Sequence, residues 1–65
     1  MEVLIWQARE KQGISLEQLS KMTGISRSTL NNIENGKTDP SFPQLEKIAK
    51  FFNCKIGDIV KSDYL

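Results

Sequence analysis

The chain has 65 residues, with nine lysines and arginines against eight acidic residues, a single cysteine and no histidine. This length allows one domain, spanning residues 1–65, and one thiol without any imidazole excludes an internal disulfide and argues against a metal site. No apolar stretch approaches the length of a membrane-spanning helix, and the first residues lack a signal-peptide pattern, so we expect a cytoplasmic protein.

Five helices are predicted, and the first runs from about Glu2 to Lys11. Ile5 and Ala8 have the spacing of inward residues, and Gly13 ends the helix because glycine tolerates the left-handed conformation. The apolar residues follow helical spacing, and no segment shows the alternation of apolar and polar residues that is typical of a strand, so no strand is predicted.

The tripeptide Gly-Ile-Ser occurs at residues 13–15 and again at residues 24–26. In each copy the glycine is suited to close one helix, and the serine to cap the next by accepting a bond from a free backbone N–H. The isoleucine can pack on a leucine five positions later, which is Leu19 in the first copy and Leu30 in the second. Two short helices joined by such a turn indicate a helix-turn-helix, which presents its second helix to a groove in DNA.

The caps also set the bounds of helices 2 and 3. Helix 2 starts after Ser15, which has a glutamine three residues on as in a capping box, and ends before Gly24. Helix 3 starts after Ser26 and ends near Asn35, with Gly36 as its stop.

Two further helices are predicted beyond a polar loop at residues 37–40. Helix 4 starts after Ser41, with proline in its first turn, where a missing N–H costs little. Its apolar residues fall on one stripe, and Asn53 is suited to end it. A short fifth helix is predicted at about Ile56 to Val60, whereas residues 61–65 give only weak structural signals.

The outward face of helix 3 is the first candidate site. Ser28, Asn31, Asn32 and Asn35 share this face because they follow i, i+3, i+4, i+7 spacing. Asparagine costs a helix about 0.6 kcal/mol relative to alanine, so three on one exposed face favour a binding surface, the alternative being an ordinary solvated face. Asparagine amides can pair with adenine, and Arg27 with guanine.

Two groups beside this face suit phosphate oxygens, which fix register without reading sequence. The first is the start of helix 2, where Ser15 is the cap and the backbone N–H groups of Leu16 and Glu17 remain free. The second follows helix 3 and comprises Asn35, the backbone near Gly36, and Lys37 with Thr38. The alternative for Lys37 is a merely solvated charge.

Arg9 and Glu34 are predicted to form a structural pair. Each follows an inward residue of its helix, so a bidentate contact would join helices 1 and 3 and neutralise the only acid near the candidate face. The alternative is two independent surface charges.

Catalysis lacks its usual residues, since no histidine, second cysteine or glycine-rich phosphate loop is present. We therefore expect no enzyme activity, no cofactor and no small-molecule ligand. Cys54 lies among apolar residues and is interpreted as a buried, inert thiol.

From Ile5 to Val60 the chain resembles the Cro/CI repressor-type helix-turn-helix domain, also called the XRE family. The matching residues are Arg9, Gly13-Ile14-Ser15, Leu19-Ser20, the run from Gly24 to Leu30, the run from Ile33 to Lys37, Pro40-Ser41, Ile48-Ala49 and the run from Ile56 to Ile59. The resemblance implies an all-α, compact five-helix, lambda-repressor-like domain that binds operator DNA, usually as a two-fold dimer.

The resemblance also implies individual roles. The base-reading residues would be Arg27, Ser28 and Asn32, with Ser26 and Asn31 secondary; Asn35 and Lys37 would hold phosphates, and Arg9 would pair with Glu34. One departure concerns the residue after the helix 2 cap, which is commonly glutamine in the family. Here it is Leu16, which either contacts a thymine methyl group or makes no base contact.

These observations predict a sequence-specific transcriptional regulator, a repressor, that binds double-stranded DNA as a homodimer. The alternative is a protein-interaction module of the same fold, which the near-neutral charge and Leu16 favour.

Overall fold

The computed structural model describes residues 1–61. Within this range the regular elements are the strand β1 (Glu2–Val3), the helices α1 (Ile5–Gln12), α2 (Leu16–Thr23), α3 (Arg27–Glu34) and α4 (Phe42–Phe52), a 3-10 turn (Ile56–Asp58) and the strand β2 (Val60–Lys61). The predicted all-α class is confirmed, because the regular structure consists of four helices with only a 3-10 turn and two two-residue strands besides. The predicted bounds of helices 2, 3 and 4 agree with α2, α3 and α4 to within a residue.

The prediction that the chain has no strand and that helix 1 begins at Glu2 is wrong. β1 pairs antiparallel with β2, with Glu2 opposite Lys61 and Val3 opposite Val60. Leu4 continues this contact by donating its N–H to the Ile59 carbonyl at 2.7 Å. These long-range bonds hold the first residues extended, so α1 begins only at Ile5.

The predicted fifth helix is also wrong, since Ile56–Asp58 forms a single 3-10 turn. The N–H groups of Asp58 and Ile59 donate to carbonyls three residues back, at 2.9 and 3.0 Å. Val60 then leaves the helical conformation because its backbone pairs with β1. Residues 62–65, part of the segment with weak structural signals, lie outside the described residues.

Serine caps fix the starts of three helices. Ser15 and Gln18 form a reciprocal capping box, with bonds of 3.0 and 2.8 Å, and Ser41 and Gln44 form another, with bonds of 3.2 and 2.9 Å. Ser26 accepts the N–H of Thr29 at 3.2 Å. Each cap satisfies backbone donors that the first helical turn leaves without partners, as the sequence predicts.

The turn between α2 and α3 is held by two hydroxyl groups as well as by glycine. Gly24 has φ of 75°, a left-handed conformation that favours glycine. Ser20 donates its hydroxyl to the Ile25 carbonyl at 2.6 Å. Buried Thr23 donates to the Leu19 carbonyl at 2.7 Å and accepts the Ile25 N–H at 3.3 Å. These bonds fix the angle at which α3 leaves α2.

One core joins all four helices and β2, and half-buried Ile56 of the 3-10 turn packs against it. Its buried members are Ile5, Leu19, Ile25, Leu30, Ile33, Leu45, Ile48, Ala49, Phe52, Ile59 and Val60. α3 contributes Leu30 and Ile33, which are 0% and 1% exposed. This burial fixes the rotation of α3 and therefore which of its side chains face outward. No helix within residues 1–61 is long and apolar enough to cross a membrane.

Candidate nucleic-acid interface

The outer face of α3 consists of polar side chains. Ser28, Asn31 and Asn35 are exposed and Asn32 is half-buried, on the side opposite Leu30 and Ile33. Ser28, Asn31, Asn32 and Asn35 therefore share one face, as their i, i+3, i+4, i+7 spacing predicts. Arg27 is exposed at the first position of the helix, at the edge of this face. A convex, polar helix surface of this kind is suited to the width of the DNA major groove.

Some hydrogen-bonding groups on this face are already engaged within the chain. Asn35 donates its side-chain N–H to Asn31 Oδ1 at 3.2 Å, one turn away. The Ser26 hydroxyl accepts the Thr29 N–H at 3.2 Å and donates to Thr29 Oγ1 at 2.7 Å. Ser26 is thus committed to capping α3, which leaves it little capacity for a base.

Three side chains on the face keep their full hydrogen-bonding capacity. Within residues 1–61 no hydrogen bond engages the side chain of Arg27, Ser28 or Asn32. The described residues contain no buried side-chain nitrogen or oxygen without a partner. The free amide of Asn32 therefore reaches solvent although the residue is half-buried. These three residues are the ones with groups available to base edges.

The start of α2 offers two backbone donors. The capping box engages the N–H groups of Ser15 and Gln18. The N–H groups of Leu16 and Glu17 precede the first intrahelical donor and remain for an external acceptor. Phosphate oxygens are suited to this position because the helix dipole places partial positive charge there. The exposed carboxylate of Glu17 lies in the same turn and has the opposite effect on an anion.

The backbone after α3 is not available for phosphate, contrary to the prediction for the region of Gly36. The N–H groups of Asn35, Gly36, Lys37 and Thr38 donate to carbonyls of α3 at 3.0, 3.2, 2.9 and 3.4 Å. They satisfy the carbonyls that the end of a helix leaves free. Only the side chains of Asn35, Lys37 and Thr38, all exposed, can reach an external anion from here.

The structure brings Arg9 and Glu34 together in a bidentate ion pair. Arg9 Nε and Nη2 donate to the two oxygens of Glu34 at 2.7 and 2.9 Å, and Nη1 donates to the Ile14 carbonyl at 3.0 Å. The two side chains are only 14% and 8% exposed. The bond to Glu34 raises the pKa of Arg9. Because Glu34 is neutralised by this contact, Arg27 is the one unpaired charge on α3.

A cleft lies between the first turn of α2 and the first turns of α3. It has a volume of about 380 Å³ and is lined by Leu16, Arg27, Ser28 and Asn31. Leu16 is half-buried and packs partly against the core. The sequence separates Leu16 from the base-reading candidates, and only the angle between α2 and α3 places them in one cleft.

Ser20 and Thr23 are the residues that support the site and that sequence reasoning missed. The sequence points to Ser20 only through the family resemblance and assigns no role to Thr23. The bonds that they form across the turn, from the Ser20 hydroxyl to the Ile25 carbonyl and from the Ile25 N–H to the Thr23 hydroxyl, depend on a geometry that the glycine already sets. A threonine directly before a helix-ending glycine is the sequence signal that could have indicated this contact.

Comparisons with known proteins point to a single family. A helix-turn-helix family model matches residues 7–59. The chain is 49% identical over 51 residues to an uncharacterised helix-turn-helix transcriptional regulator of Methanocaldococcus jannaschii, covering 78% of this chain and 77% of that protein. It is 39% identical over 51 residues to the competence pilus inhibition repressor of Acinetobacter baylyi, covering 78% of this chain and 46% of the repressor.

A solved structure shows the same architecture. The N-terminal DNA-binding domain of SinR from Bacillus subtilis superimposes with a TM-score of 0.81, at 27% identity, covering 94% of this chain and 90% of that domain. The likeness therefore extends over nearly the whole chain and is not limited to the two helices of the motif.

Proposed function

The chain belongs to the helix-turn-helix family and is a DNA-binding transcription regulator, and we propose that it recognises a specific operator by placing α3 in the major groove. The observation that carries this proposal is the outer face of α3. Its polar side chains with free hydrogen-bonding groups lie opposite the buried Leu30 and Ile33, and its one acid is neutralised by Arg9. Nothing on this face opposes the approach of a polyanion.

We assign two roles to the residues around this face. Arg27, Ser28 and Asn32 contact base edges, since arginine can bond guanine through O6 and N7 and asparagine can bond adenine through N6 and N7. Asn31 is secondary because Asn35 shares its oxygen, and Ser26 is secondary because its hydroxyl caps α3.

The phosphate contacts flank the base-reading residues. The free N–H groups of Leu16 and Glu17 bond one phosphate, with Ser15 holding the turn that presents them. The exposed side chains of Asn35, Lys37 and Thr38 bond another, beyond the end of α3. The two groups bracket α3 and set its depth and register in the groove.

The protein acts as a homodimer on two half-sites about 34 Å apart, one turn of DNA, so that two copies of α3 enter successive major grooves. Occupation of promoter DNA represses transcription. It acts in the cytoplasm and has no enzymatic role.

Selection of duplexes from a random-sequence library by the purified chain tests this function and returns the site and its symmetry. Arg27→Ala and Asn32→Ala should each weaken binding to the selected site by about 1–3 kcal/mol and relax preference at one base pair. Lys37→Ala should weaken binding to all sequences alike and reduce the salt slope by about one. Lys47→Ala is the matched control, because this exposed lysine lies on α4 in a cleft with Met22 and Phe51.

Substitution of a base-reading residue should change sequence preference, whereas substitution of a phosphate-binding residue should not. If Arg27→Ala and Lys37→Ala change the binding of every sequence equally, the assignment of base-reading residues is wrong. If the chain binds no duplex at low ionic strength, the proposal fails as a whole.

Exposed apolar side chains favour a second function, that of a protein-interaction module. Trp6, Met22 and Phe42 are 49%, 67% and 64% exposed, and Trp6 lines a separate cleft of about 230 Å³ with Val3 and Gln7. A salt titration separates the two functions, because release of counterions makes DNA binding steeply dependent on salt and apolar docking does not share this dependence.

A further inference from the structure

The cleft at the junction of α2 and α3 combines one apolar side chain with three polar ones. Leu16 contributes the apolar part, and Arg27, Ser28 and Asn31 contribute the polar part. Leu16 is half-buried, with part of its side chain on the core and part open to the cleft. It has no hydrogen-bonding group, so this side chain cannot hydrogen-bond a phosphate or a base and can offer only an apolar contact.

DNA offers one apolar group in the major groove, which is the C5-methyl group of thymine. An apolar side chain beside the groove discriminates thymine by contact with this methyl group, whereas arginine discriminates guanine by two hydrogen bonds. The cleft presents both kinds of contact within one space, since Leu16 and Arg27 line the same 380 Å³ volume.

We propose that this cleft reads a thymine next to a guanine, with Leu16 packed on the thymine methyl group and Arg27 bonded to the guanine. The inference rests on the proposed DNA-binding function and adds the identity of a base that α3 alone does not specify. Leu16 is thus a specificity-determining residue supplied by α2, while its backbone N–H remains directed to phosphate.

The core fixes Leu16 in this position. Its contact with the core cluster limits the side chain to few conformations, so little conformational entropy is lost when a methyl group packs on it. Ser15 and Gln18 further hold the turn that precedes it, through bonds of 3.0 and 2.8 Å.

Deoxyuridine substitution tests the proposal without any change to the protein. A duplex selected by the chain from random sequence is resynthesised with each thymine replaced in turn by deoxyuridine, which lacks only the C5-methyl group. Wild-type protein should lose about fourfold in affinity at one thymine per half-site, the change expected for one methyl group removed from an apolar contact. That thymine should be adjacent to the guanine whose replacement is tolerated better by Arg27→Ala than by the wild type.

Substitution of Leu16 then assigns the effect to this residue. Leu16→Ala and Leu16→Gln should bind the thymine and deoxyuridine duplexes equally, and Leu16→Met should retain the difference. Met22→Ala, on the same helix but in another cleft, should behave as the wild type. Circular dichroism confirms that each variant is folded before binding is compared.

The outcomes separate this inference from the proposed function. If the chain selects a duplex and binds it equally with thymine or deoxyuridine at every position, the methyl contact is refuted and DNA binding stands. The same holds if the difference persists in Leu16→Ala. If the chain selects no duplex, both proposals fall together.

Discussion

Removal of either member of the Arg9–Glu34 pair should destabilise the fold by an amount that can be worked out from its contacts. Arg9 forms three bonds, two to Glu34 and one to the Ile14 carbonyl, and the pair is 14% and 8% exposed. Breaking a buried pair costs about 3–5 kcal/mol, and the small remaining exposure of this pair to water lowers the value within that range. We expect a loss of about 3 kcal/mol for Arg9→Ala and about 2–3 kcal/mol for Glu34→Ala.

The double variant should lose less than the sum of the two single variants, with a coupling energy of about 2 kcal/mol. A domain of this size is stabilised by about 3–10 kcal/mol in total, so Arg9→Ala alone should lower the melting temperature by roughly 12–24 °C. Urea denaturation followed by circular dichroism measures the free energy of unfolding of each variant.

Two control variants, Arg9→Lys and Glu10→Ala, are compared with Arg9→Ala. Arg9→Lys keeps the charge but cannot form the planar two-bond contact, so it should lose about half as much stability as Arg9→Ala. Glu10→Ala removes an exposed acid next to Arg9 and should cost under about 0.5 kcal/mol. A coupling energy near zero between Arg9 and Glu34 would show that the pair does not hold α1 to α3.

Two further predictions concern a backbone position and the thiol. Gly24→Ala should lower the free energy of unfolding by about 1–2 kcal/mol, because φ is 75° and no atom lies within 4 Å of an added Cβ, so that only backbone strain acts. Gly57→Ala, equally open but without a positive φ, should change the free energy of unfolding by under about 1 kcal/mol. Equal changes for the two variants would contradict this reasoning. Burial, and then the charge of Asp58, raise the pKa of Cys54, so its thiolate is favoured in the unfolded chain and the fold should lose stability as the pH rises above the thiol pKa of that chain. At pH 8 iodoacetamide should therefore alkylate the native protein more slowly than the urea-unfolded chain, and equal rates would refute the inert thiol.

Features set by neighbouring residues could be predicted from the sequence. The serine caps, the left-handed glycines and the bounds of α2, α3 and α4 depend on contacts within one or two turns, so residue type and spacing are enough to predict them. The Arg9–Glu34 contact joins residues 25 positions apart, but it could be proposed because each residue directly follows a residue predicted to face the core.

The remaining features depend on the assembled fold. The pairing of β1 with β2 involves two residues on each strand, too few to show an alternating pattern. It delays the start of α1 to Ile5 and turns the predicted fifth helix into a 3-10 turn. The cleft of Leu16 and Arg27 likewise depends on the angle between α2 and α3, which Ser20 and Thr23 help to fix.

The pairing of β1 with β2 joins the two ends of the described chain by backbone hydrogen bonds. Helical domains commonly begin to unravel at the first or last turn, but here residues 2–3 and 60–61 can part only together. Their separation would also admit water to Ile5 and Val60, which are 0% and 1% exposed. Local opening at either segment is therefore coupled to the core, and inserted residues are better tolerated at the exposed positions 37–39 than between positions 2 and 4.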